Sequence, residues 1–139
     1  MATAEAPAAA RVEPTMALTL RSVPSPIKAV PAAAGDFAWT AAFSALLLET
    51  GGVGGRVYAV QAVLLETGRG PGGPTDRQVA LADVDLTRHT LPARGTLAVP
   101  IAVHYTLPGG ERDALVEVAA IVIGNDGYYY HAAGRFQIG

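Results

Sequence analysis

From Met16 to the C-terminus, short apolar runs are cut roughly every 8–15 residues by clusters of Gly, Pro and Asp, a spacing that suits packed β-sheets and leaves no room for long helices. Within the runs the period is two. Over 96–107 the residues Leu97, Val99, Ile101, Val103, Tyr105 and Leu107 alternate with Ala98, Pro100, Ala102, His104 and Thr106. Successive strand side chains point to opposite faces, so the first set is expected inside and the second outside.

The same reasoning gives about seven antiparallel strands. The first, 17–30, is broken by Pro24 and Pro26; proline cannot donate to a ladder, so this strand belongs at a sheet edge or at a crossing between sheets. The second, 37–49, puts Phe37, Trp39, Ala41, Phe43, Ala45 and Leu47 on one face, expected in the core. Glycines at 51, 52, 54 and 55 then suggest a hairpin to a third strand over 56–66. The stretch 67–78 is too rich in Gly and Pro for regular structure and reads as the longest loop. A fourth strand spans 79–86, with Asp83 and Asp85 on one face. The fifth, 96–107, carries Pro100, which suggests an edge or a bulge. The sixth, 114–123, is almost unbroken in its apolar character and fits a central strand covered on both faces. Gly124-Asn125-Asp126-Gly127 then signals a hairpin into the seventh strand, 128–138.

Composition bounds what such a chain can do. Half of the 139 residues are apolar and 16% are charged, so there is apolar surface enough to offset the ordering entropy of a single domain. Ten basic against twelve acidic residues, without blocks, offer no footprint for nucleic acid or an anionic membrane. There is no Cys, which removes disulfides, thiolate metal sites and a cysteine nucleophile. Residues 1–15, rich in Ala with Pro7 and Pro14, read as a flexible leader or linker before a domain over 16–139. They show neither the basic flank nor the apolar stretch of a signal peptide, and no run is long enough to insert into a membrane.

The aromatic strand followed by Glu49-Thr50-Gly51-Gly52-Val53-Gly54-Gly55, the later strand introduced by Leu91-Pro92, and the closing Asp126-Gly127 hairpin resemble the immunoglobulin-like and fibronectin-type-III-like sandwiches of bacterial secreted or lipid-anchored envelope proteins. The resemblance covers about 16–138. It implies an all-β, immunoglobulin-like two-sheet sandwich and an extracytoplasmic or secreted setting. For function the sandwich pattern, the Ala/Pro-rich leader and the lack of catalytic motifs together point to a non-enzymatic interaction or spacer module with a protein or glycan partner. The alternative, which follows from edge strands as templates for pairing, is a self-assembling structural subunit, a homo-oligomer built by strand exchange or edge pairing.

No catalytic residues, metal ligands or cofactor are assigned. His89, His104 and His131 lack the close spacing of ligands on one strand face, and Asp83 and Asp85 with Asp126 or Glu111 form no calcium loop. Ser22, Ser25 and Ser44 sit in no nucleophile elbow. The glycines at 51–55 and 68–73 lack the Lys-Ser/Thr ending and following helix of a phosphate loop, and turns explain them. Tyr128, Tyr129 and Tyr130 are set against the same turn, where they can offer contact area to a partner or brace the hairpin by cross-strand pairing. In a sandwich of this order the 50–55 connection and the 124–129 turn emerge at one end. Asn125, Asp126 and Tyr129 are therefore the expected binding residues, with the 67–78 stretch at the other end.

Overall fold

The computed structural model describes residues 14–33, 35–70 and 73–139, leaving out the side chains within 67–76. The leader expected over 1–15 therefore lies outside the described residues as far as residue 13. Among the described residues there are ten strands: β1 (Leu18–Val23), β2 (Ala29–Pro31), β3 (Trp39–Glu49), β4 (Gly55–Gly70), β5 (Gly73–Leu81), β6 (Asp83–Val84), β7 (Thr90–Leu91), β8 (Thr96–Tyr105), β9 (Ala114–Gly124) and β10 (Tyr129–Ile138). They form two antiparallel sheets. Sheet A runs β1-β3-β8-β6 with β2 also on β3, and sheet B runs β10-β9-β4-β5 with β7 also on β4.

The all-β two-sheet sandwich is as the alternation demands. Leu97, Val99, Ile101, Val103, Tyr105 and Leu107 are all buried, and face Val57, Ala62, Leu64, Val116, Val118 and Val122 of sheet B in one core. Each large apolar side chain taken from water there contributes about 1.5–3 kcal/mol. The broken first strand is divided as its prolines require: β1 and β2 both border β3, and between them Ile27 crosses to sheet B, donating to Gln137 O at 2.9 Å. Ile27 and Ile138 are both fully buried at that seam. Pro100 faces Ser44 of β3, while its carbonyl accepts from Asp85 N at 2.9 Å on the other side of the strand. The missing N–H therefore points toward the thin edge, where it costs least.

Several expectations are corrected. Strands 37–49 and 56–66 are not a hairpin: β3 lies in sheet A and β4 in sheet B, so residues 50–54 cross between sheets. The parts of the 67–78 stretch that are described, 67–70 and 73–78, are not irregular, because β4 and β5 pair from Val63↔Leu81 to Gly70↔Gly73. The fourth strand splits at Ala82, whose N–H goes to Ala62 O at 2.9 Å in sheet B before Asp83 pairs with Ala102 in sheet A. β9 is central, yet only one of its faces is buried. Phe37 is 51% exposed, and Trp39 is half-buried with its indole N–H on Gly110 O at 3.0 Å. The core on β3 starts at Ala41 and includes Phe43.

Candidate functional site

One end of the sandwich gathers the end of β3, the start of β4, the turn before β8 and the β9–β10 hairpin. Its organising group is Glu49, the last residue of β3, with 1% of its surface exposed. Its Oε1 accepts from the amides of Gly52 (2.8 Å), Val53 (3.1 Å) and Arg94 (2.8 Å), and its Oε2 from Gly51 (2.6 Å) and Ala17 (3.0 Å). Burial pushes the carboxyl up, and the converging amides of Arg94, Ala17, Gly52 and Gly51 more than offset it. Together they hold the pKa at about 2. Arg94 adopts φ 55, an uncommon conformation for a residue with a Cβ, and so turns its amide onto Glu49. Gly51 is required by close approach: a Cβ there would lie 1.8 Å from Thr15 O.

This arrangement answers the question of a phosphate loop. An anion cradle works by offering unpaired amides, and here those of Gly51, Gly52 and Val53 are already given to a carboxylate. The glycine-rich stretch is a closed inter-sheet crossing.

Beside the crossing, the β9–β10 hairpin closes through Gly127 N to Gly124 O (2.9 Å) and Gly124 N to Tyr128 O (2.8 Å), with Gly127 at φ 87. This is the three-residue hairpin with a glycine at the left-handed position. Asn125 N donates to Gly54 O at 2.8 Å, pinning the hairpin to the crossing. Asp126 is occupied internally: Oδ1 accepts from Tyr128 N at 3.1 Å and Oδ2 from the Tyr130 hydroxyl. That hydrogen bond, with some burial, raises the Tyr130 pKa. Between crossing and hairpin lies a cleft of about 480 Å³ lined by Gly54, Gly55, Arg56, Thr90, Leu91, Pro92, Ala93, Ile123, Gly124 and Asn125. Its rim continues onto the outer face of sheet B, where Arg56, Ile123 and Tyr129 lie in one cross-strand row. Tyr58, at a bulge in β4, brings its ring to 6.3 Å from that of Tyr129, and both are 61% exposed, with Tyr128 at 69%.

No protein-family model matches this chain, and no curated protein matches it. Solved structures do. A Bordetella pertussis protein, titled "Putative ApaA Protein", aligns with a TM-score of 0.57 and 14% identity over 91% of this chain and 95% of its own. The X-ray structure of the structural-genomics target SoR45 aligns with a TM-score of 0.55 and 6% identity over 91% of this chain and 88% of its own. At these identities the likeness shows the fold alone.

The expected site residues are thus brought to one end, with different duties. The Asn125 side chain borders the cleft, Tyr129 faces outward beside Tyr58, and Asp126 braces the hairpin. Sequence reading missed Arg56 and Tyr58, because β4 was paired with the wrong strand. It also missed Glu49, although an acid placed directly before a run of glycine amides is a readable sign of a carboxylate that accepts them. His104 and His131 are exposed on different sheets, and among the described residues no group of three His, Cys, Asp or Glu could hold a metal. His104 Nδ1 lies 2.9 Å from Thr40 Oγ1, with the Phe37 ring 5.9 Å away. Asp85 accepts from Thr87 N and Oγ1, which lowers its pKa.

Proposed function

We propose that this chain is a non-enzymatic interaction module of immunoglobulin-like type, working in a bacterial envelope or secreted setting and recognising a protein partner at the crossing end of sheet B. The observation that carries the reading is the set of three exposed tyrosines, Tyr58, Tyr128 and Tyr129, contiguous with a cleft that adds the Arg56 guanidinium and the Asn125 amide. Tyrosine and arginine dominate protein-recognition surfaces, since they present large area at low entropic cost together with polar tips. The platform is rigid: the Glu49-held crossing fixes one wall and the Asp126-braced hairpin the other.

The test compares wild type with Tyr58→Ser/Tyr129→Ser, both checked as folded by circular dichroism, in capture from an envelope extract. The reading expects a partner retained by wild type and weakened about 10–100-fold in the double variant, the range for paired hot-spot residues. Equal capture by both proteins, or capture only of cytosolic proteins, counts against it. Asp126 is left unchanged, because its removal would disturb the hairpin itself.

A further inference from the structure

Two arginines of sheet B are neutralised across the ladder. Arg77 of β5 stands opposite Glu66 of β4, and Arg135 of β10 opposite Glu117 of β9, each forming an ion pair with that glutamate. Opposite charges facing one another on neighbouring strands stabilise a sheet in this way. Arg56 has no such neighbour: β7 sets Thr90 beside it and β9 sets Ile123. It is exposed, and among the described residues its guanidinium has no ion-pair or hydrogen-bond partner.

Arg56 forms part of the cleft at the crossing end, and no Asp or Glu lines that cleft. The acids that shape this end are committed elsewhere, Glu49 to five amides and Asp126 to Tyr128 N and the Tyr130 hydroxyl. What the cleft presents is donors. Thr90 lines it beside Arg56, and the Asn125 amide closes on its glycine floor, where a Cβ on Gly54 would meet Asn125 Nδ2 at 3.4 Å. A guanidinium, a hydroxyl and an amide with no carboxylate among them favour an anion, and a guanidinium fits a carboxylate two N–H groups to two oxygens. From Arg56 the outer face leads through Ile123 to Tyr129, two strand spacings or about 10 Å away.

We propose that the cleft takes an acidic side chain, Asp or Glu, from an extended segment of the partner. Arg56 clasps its carboxylate, with Thr90 and Asn125 beside it. An aromatic or apolar side chain about three residues away in the same segment rests on Tyr58 and Tyr129, since an extended chain covers about 10 Å in that length. The proposal rests on the partner-binding reading and names what the partner carries; charge complementarity selects it, because a basic segment would meet Arg56 with no acid to offset it.

The probe is a random peptide library with blocked C-termini, so that a carboxylate comes only from a side chain. Wild type is expected to enrich Asp or Glu about three residues from an aromatic or apolar residue. Arg56→Gln should bind the selected peptides about 10–100-fold more weakly, and Arg56→Glu should select Lys or Arg in place of the acid. Circular dichroism checks both folds, and Arg56→Gln decides the matter if the charge reversal does not fold. Peptides that need Tyr58 and Tyr129 but carry no acid, or acidic peptides that bind Arg56→Gln as tightly as wild type, overturn the proposal and leave the tyrosine platform standing. A wild type that selects no peptide overturns it too, and capture from the envelope extract then decides the platform by itself.

Discussion

Glu49 shows how one side chain can organise a chain reversal that glycine alone would leave open. Five amides converge on it, and a buried amide without an acceptor costs about 1–3 kcal/mol. Glu49→Gln keeps the shape but turns an NH₂ toward those donors, so it should lower unfolding stability in urea by about 2–4 kcal/mol. Arg94 is held at φ 55 for the sake of its amide. Arg94→Gly preserves that amide and relieves the backbone, so stability should stay within about 1 kcal/mol of wild type, while Arg94→Val should fall below it. Trp39 is half-buried and held by one hydrogen bond. Trp39→Ala should accordingly cost about 1–3 kcal/mol, short of the 3–5 kcal/mol that removal of a fully buried tryptophan entails.

Strands whose own alternation decides their burial were legible in the sequence. β8 and the β9–β10 hairpin follow from period two and from turn chemistry, and the interrupted first strand follows from Pro24 and Pro26. What stayed hidden was pairing. Glycines after a strand serve a tight hairpin and an inter-sheet crossing equally well, and the distinction lies in Glu49, whose partners at Ala17 and Arg94 are remote in sequence. The 67–78 stretch looked unable to form strands because its Gly and Pro content weakens local propensity. The ladder from Val63↔Leu81 supplies the register that propensity lacks, and Glu66 and Arg77 form an ion pair across it. With β4 paired correctly, Arg56 and Tyr58 join the site; without it they could not be placed. The crossing itself is sterically closed: Gly51→Ala drives a methyl into Thr15 O. It should lower stability by more than about 2 kcal/mol, and a thermal melt unchanged from wild type would argue against this close approach.

At the scale of the whole molecule the two sheets share one core, and the crossing at 50–54 couples their ends through an ionised group. Glu49 has a lower pKa folded than unfolded, so its contribution is fully present above its ordinary value of 4.5 and is lost as pH falls toward about 2. Over that window wild type should lose on the order of 2–3 kcal/mol of stability that Glu49→Gln does not lose, measured by urea unfolding at stepped pH. The account rests on that carboxylate being ionised and amide-bound in the folded protein, and NMR titration of the Glu49 side-chain carboxyl carbon tests it most directly. The expected result is a midpoint near 2, with the amide protons of Gly51, Gly52, Val53, Ala17 and Arg94 moving on the same curve. A midpoint at the ordinary value of 4.5, with those amides indifferent to it, would contradict the account.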